Sequence, residues 1–196
     1  GSNHFLIAEC YFVKSIKTVK TLGKYVALLG LVLMACQTKP VRQPVPVTED
    51  STFLTGTFFL VRHAEKHPGV DSTLTQEGYI RAHHLYTLLE DSGLQKIYFT
   101  PFKRTVQTAD PLFEQLHLDT VYYMPDTTGE SLIYEITRRE DWGKRLLIVG
   151  HSNTLLPIMR ALKAKPPVDS IGDQDYDNLF IIYKHRDSVK VNWEKY

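Results

Sequence analysis

Two apolar patterns alternate along the chain from Phe53 to Tyr196. Continuous runs suited to buried strands fall at Phe58 to Val61, Ile97 to Phe99, Val121 to Tyr123, Leu146 to Val149 and Leu179 to Tyr183. Between them, apolar side chains recur every three or four positions, the spacing of one helix face. Ala82, Leu85, Tyr86 and Leu89 form one such stripe, Phe102, Val106, Ala109 and Phe113 a second, and Leu155, Ile158, Met159 and Leu162 a third. Thr75 and Thr100 stand where N-caps belong, and Pro101 suits a first helical turn. After the last run, Arg186-Asp187 and then Val189 to Trp193 predict a hairpin or an edge strand. Short buried strands alternating with amphipathic helices predict an α/β three-layer sandwich, a mostly parallel central sheet with helices on both faces. Ligands of such sheets collect at the carboxyl ends of the strands.

The front of the chain has neither pattern. Gly1-Ser2 looks like a cloning scar. Lys14, Lys17, Lys20 and Lys24 precede the uncharged run at 25–35, which is shorter than the ~20 residues a membrane-spanning helix needs but suits the core of an export signal. The run closes in Leu33-Met34-Ala35-Cys36, which resembles a bacterial lipoprotein cleavage box whose cysteine becomes the lipidated N-terminus. Residues 37–52, with three prolines among polar residues, bury too little to fold and are expected to be a tether. The expected organisation is therefore a scar and signal peptide at 1–36, a tether at 37–52 and one folded domain at 53–196. That domain would be held by a lipid on Cys36 at a bacterial cell-envelope membrane, facing the periplasm.

Composition narrows the chemistry. Cys10 and Cys36 are the two cysteines, so cleavage before Cys36 leaves no internal disulfide, and a cysteine zinc site is excluded. From Phe53 onward 17 Lys/Arg stand against 19 Asp/Glu, so the slight positive charge of the whole chain belongs to its front and nothing indicates a nucleic-acid surface. His67, His83, His84, His117 and His185 lack metal-ligand spacing, and neither a metal nor another cofactor is expected.

Three strand ends carry unusual residues. The first run ends in Arg62-His63. The second leads through "TPFKRTVQTA" to Arg104, one turn into a helix. The third ends in Gly150-His151, with Ser152-Asn153 opening the next helix. In a parallel sheet these ends share one rim, and two arginines with two histidines there would make a cavity for a dianion, best fitted by a phosphate monoester.

The blocks "LVRHAEK", "LTQEGYIRA", "TPFKRTVQTA" and "VGHSNT", in that order, resemble those of the histidine phosphatase superfamily, which includes cofactor-dependent phosphoglycerate mutase. The resemblance spans Phe58 to about Tyr183. Ala64 stands where many members have glycine, the "RHAE" variant of the motif. The resemblance implies a phosphoglycerate mutase-like fold and hydrolysis of phosphate esters through a phosphohistidine on His63. Arg62 and Arg104 would hold the phosphate, and His151 would donate a hydrogen bond to it.

A general acid for the leaving group is expected in the segment after Arg104. Glu130 is the candidate, with Asp126 and Glu135 as rivals, and an exposed first-turn glutamate is an equal reading of Glu130. Glu65 has two readings, orienting Arg62 or the nucleophile from behind, or pairing with Lys66 or Lys103. The segment Tyr122 to Asp141 is expected to wall the pocket, with Tyr122, Tyr123, Met124 and Tyr134 packed in the core. Two alternatives to a phosphomonoesterase stay open: a phosphohistidine protein phosphatase, and a non-catalytic phosphate-binding lipoprotein. The natural substrate and the oligomeric state are not legible.

Overall fold

The computed structural model describes residues 54–196; the expected signal, the lipidation site at Cys36, the tether and Phe53 lie outside the described residues. Among the described residues six strands and four helices follow one another: β1 (Thr55–Arg62), α1 (Gln76–Leu89), β2 (Lys96–Phe99), α2 (Lys103–Leu116), β3 (Asp119–Tyr122), α3 (Glu130–Arg138), β4 (Arg145–Gly150), α4 (Leu155–Ala161), β5 (Asn178–His185) and β6 (Ser188–Lys195). They build one sheet in the order β3-β2-β4-β1-β5-β6. The first four strands of that order pair in parallel, while β5 runs antiparallel to both β1 and β6. The expected three-layer, mostly parallel α/β sandwich is therefore what forms, and β5–β6 is the hairpin whose second strand is an edge.

Strand alternation makes the layers. Phe58 and Leu60 of β1 join Leu146 and Ile148 of β4 against Leu132 and Ile136 of α3 and Leu155 and Met159 of α4. The intervening Phe59, Val61, Leu147 and Val149 face Leu85 and Leu89 of α1 and Ala109 and Leu112 of α2. The central strands are apolar throughout because each side chain, up or down, meets a helix.

The helix starts divide into one expectation met and two corrected. Thr75 caps α1, its hydroxyl accepting from the Gly78 amide at 3.2 Å. Thr100 does not cap α2. Phe102 is the N-cap residue, without a side-chain cap bond, and Pro101 precedes the helix. The Thr100 hydroxyl is engaged elsewhere, 2.8 Å from His151 Nε2. Likewise Ser152 and Asn153 lie in a turn, and α4 begins at Leu155. Among the described residues, no helix is long and apolar enough to cross a membrane.

Candidate active site

Strand register brings the distant blocks together. Arg62 at the end of β1 pairs with Gly150 at the end of β4, and Phe99 of β2 pairs with Val149. The next residues, His63, His151 and Thr100, therefore leave the sheet side by side, and the His63 amide donates to the Gly150 carbonyl at 3.0 Å. The two imidazole rings stand 5.4 Å apart, edge to face. Gly150 is itself tightly packed, since a Cβ there would sit 2.9 Å from the Tyr123 hydroxyl and 3.0 Å from Leu155 and Thr154.

The hydrogen bonds fix the proton on each ring. His63 Nδ1 lies 2.8 Å from the Ala64 carbonyl, which can only accept, so Nδ1 carries the proton and Nε2 a lone pair. Burial and the charges of Arg62, His151 and Arg104, outweighing that hydrogen bond, push His63 down to about 3. The ring is thereby held neutral, with Nε2 unprotonated.

His151 has the opposite tautomer. Thr105 Oγ1 lies 2.7 Å from the Thr100 carbonyl and 2.8 Å from that of Phe102, so its hydrogen goes to a carbonyl. The Thr100–Thr105 hydroxyl contact of 3.1 Å must then use the Thr100 hydrogen, and Thr100 Oγ1 can only accept from His151 Nε2–H. On the other side of the ring Arg104 Nη2, which only donates, faces Nδ1 at 3.4 Å. Burial, then Arg104 and Arg62, push His151 down to about 4. The expected phosphate donor thus rests as a neutral ring with Nδ1 unprotonated.

The guanidinium groups are held but not satisfied. Arg62 donates through Nη1 to the carbonyls of Gly172 (2.8 Å) and Asp173 (3.0 Å), under the ring of Tyr176, whose centre is 4.1 Å from Cζ. Arg104 donates to the Val70 carbonyl and lies 4.3 Å over the Phe102 ring. The Nε groups of both are buried with no partner among the described residues. Buried, unpaired N–H groups beside two neutral imidazoles make a site suited to an anion.

Arg104, His63, His151, Lys66, Phe102 and Asp126 help line a cavity of about 370 Å³; Arg62 lies beside it beneath Tyr176 and is not among the lining residues. Glu130 is exposed in the first turn of α3 and does not line the cavity. Asp126 does, but its carboxylate accepts from the amides of Thr128, Gly129 and Ser131, which hold it ionised below the usual carboxylate range despite partial burial. Glu135 is spent on Arg138 and Arg139. Glu65 pairs with neither lysine: Arg81 takes both its oxygens at 2.7–2.9 Å. Tyr123 is packed as expected, but Tyr122, Met124 and Tyr134 are exposed, and the pocket wall is made by Pro125 to Thr127. Among the described residues no histidine, cysteine, aspartate and glutamate group could hold a metal.

Each sequence block has a physical task. In "TPFKRTVQTA", Thr105 ends the chain of hydroxyls behind His151, and Thr108 Oγ1 accepts from the Ala64 amide at 2.9 Å, anchoring the loop that follows His63. "LTQEGYIRA" holds that loop from the other side. The Thr75 amide donates to the Glu65 carbonyl, Arg81 grips Glu65, and a Cβ on Gly78 would come within 2.1 Å of the Glu65 carbonyl oxygen. Ala64 fits because its methyl is buried with Leu74 and Ala82. Thr100, Lys66, Phe102 and Tyr176 are the site residues that sequence reasoning missed. Thr100 was legible only as a cap, and Tyr176 carries no local signal.

The geometry defines a phosphoglycerate mutase-like α/β fold with a basic, two-histidine rim. The sequence model of the histidine phosphatase superfamily (branch 1) matches residues 58–126, which include the first three blocks and end before His151. Over that segment the chain is similar to the superfamily, and beyond it the likeness is one of fold. No curated protein matches the sequence. Among solved structures, the alpha-ribazole phosphatase from Shigella flexneri is similar with a TM-score of 0.56 and 15% identity, over 71% of this chain and 96% of that one. YhfR of Bacillus stearothermophilus gives 0.54 and 20% over 71% and 96%, and the proposed phosphohistidine phosphatase SixA from Agrobacterium tumefaciens 0.52 and 19% over 74% and 97%. At these identities the likeness is one of fold.

Proposed function

We propose that the protein is a phosphomonoesterase that works through a covalent phosphohistidine on His63. The observation that carries this reading is the tautomer of His63, neutral with the Nε2 lone pair free, beside two guanidinium groups with unpaired N–H. Nε2 attacks phosphorus in line, while Arg62 and Arg104 take up the charge on the equatorial oxygens. Water then attacks the phosphohistidine and releases inorganic phosphate. Among the described residues no carboxylic acid free to protonate a leaving group lines the cavity, since Asp126 is committed as an anion. That favours a second reading, in which the phosphoryl donor is a protein phosphohistidine whose leaving imidazole makes a smaller demand for acid.

Alkaline quench of a single turnover with phosphorus-labelled aryl phosphate tests the route. The label should be acid-labile, base-stable and attached to His63; turnover with no enzyme-bound label at any time sinks it. Faster hydrolysis of a phosphohistidine peptide than of an alkyl phosphate, by 10²-fold or more, would favour the second reading. A non-catalytic phosphate binder is the reading left if no ester turns over while phosphate still binds. We also propose export and anchoring through a lipid on Cys36, supported by the basic, apolar and cysteine-ending order of the front segment. Palmitate labelling that survives Cys36→Ser would rule the anchor out.

A further inference from the structure

The hydroxyl chain behind His151 does more than pack the site. We infer that Thr100 is a positioning residue that keeps His151 Nδ1 open, so that His151 gains a proton when the phosphoryl anion binds and passes it to the leaving group. The inference rests on the phosphatase reading above. It answers the question that reading leaves, which group supplies the leaving-group proton.

The direction of the chain is imposed from both ends. Carbonyls at Thr100 and Phe102 can only accept, and the guanidinium of Arg104 can only donate. Between them the order of donation is His151 Nε2–H to Thr100, Thr100 to Thr105, and Thr105 to a carbonyl. Thr100 and Thr105 are fully buried, so no water competes for these hydrogens. With Nε2 committed, the ring can exchange a proton only at Nδ1, the nitrogen that faces Arg104.

Before an anion arrives, the charges around that nitrogen oppose protonation. Arg104 faces it from α2 and Arg62 from the end of β1, Lys66 lines the same cavity and the His63 ring beside it is neutral; against them stand Asp126, already engaged by backbone amides, and Asp71, which acts on Arg104. A bound dianion reverses this field. It draws Arg104 onto its own oxygens and stabilises a proton at Nδ1, supplied by solvent or by a monoanionic substrate.

The proton balance then closes. His63 Nε2 forms the P–N bond as the P–O bond to the leaving group breaks, and the proton on His151 Nδ1 goes to the departing oxygen. In the second half, water forms a P–O bond, the P–N electron pair returns to Nε2, and a water proton goes back to Nδ1. Hydrogen phosphate leaves, and His151 then gives up its proton to solvent.

The test is imidazole nitrogen NMR on the full chain, with and without tungstate, a dianion that holds no proton of its own near about pH 7.5. In the free protein His151 should be neutral with its proton on Nε2, and with tungstate bound it should carry protons on both nitrogens. Thr100→Val should leave the free ring a mixture of tautomers, and Thr100→Ser should restore the single form. For turnover, Thr100→Val should lower kcat about tenfold more on alkyl than on aryl phosphates at similar KM, with rescue by Thr100→Ser. If tungstate shifts both rings but His151 stays singly protonated, or if Thr100→Val costs both esters equally, the inference is overturned while the phosphatase reading survives. If tungstate disturbs neither ring, both fall.

Discussion

The two ends of the sheet treat buried charge in opposite ways. Where the strands begin, Asp141 is fully buried, and both its oxygens are met by Lys96 at 2.8 Å, with Lys144 and the Tyr98 hydroxyl completing the shell. These partners hold its carboxyl below the usual range although burial acts against them. Where the strands end, Arg62 and Arg104 make no ion pair among the described residues, and each keeps a buried Nε without a partner. The first arrangement closes on itself, and breaking it should cost stability. The second is open toward a ligand, so breaking it should cost function.

His63→Ala should make the largest difference, lowering kcat on the order of 10⁴-fold, about 5.5 kcal/mol, with the melting temperature little changed. Steady-state kinetics and a melt on the same sample check both halves. Asp141→Asn should do the reverse, costing about 3 kcal/mol in a denaturant titration by leaving Lys96 and Lys144 facing a neutral group, with kcat per folded molecule unchanged. Arg104→Met keeps the stem over Phe102 but removes the charge. It should lower kcat/KM about 10²-fold, some 2.7 kcal/mol, without lowering the denaturant midpoint, because burial and the charge of Arg62 already oppose the guanidinium. A lowered midpoint would place Arg104 among the structural charges instead.

Per pH unit, the smallest effect is in the pH dependence of stability. His63 and His151 are pushed down to about 3 and about 4, against 6.5 when unfolded. As pH falls below 6.5 the unfolded chain binds protons that the native rings refuse, so stability present at neutral pH is lost toward about pH 4. Each ring contributes a slope of up to about 1.4 kcal/mol per pH unit, and His63→Ala should flatten the curve by that amount in urea titrations across this window. Asp141 adds to the loss as pH falls through the carboxylate range, because its depressed carboxyl refuses a proton that the unfolded chain accepts, and Asp141→Asn should remove that part.

The sheet was legible because its central strands are apolar on both faces, and β1, β2, β4 and β5 all fall on runs such as Phe58 to Val61 and Leu146 to Val149. Parallel register then brings Arg62, His63, Arg104 and His151 to one rim. What sequence could not give was competition for a hydrogen bond. Thr100 has the residue type and position of a helix cap, and only the three-dimensional approach of His151 takes its hydroxyl away from α2. The same limit hid Tyr176, whose contact with Arg62 spans more than a hundred residues of chain, and misdirected Glu130, because nothing local tells a carboxylate in a first turn whether it points to a cavity or to water.

Crystals of the protein soaked in orthovanadate put the central claim to the most direct test. The vanadium should be bonded to His63 Nε2, with Arg62 and Arg104 donating to its equatorial oxygens and His151 Nδ1 to the apical oxygen opposite His63, each from within about 3 Å. Vanadate seated away from His63, or bound while Arg62 still donates only to the carbonyls of Gly172 and Asp173, would contradict it.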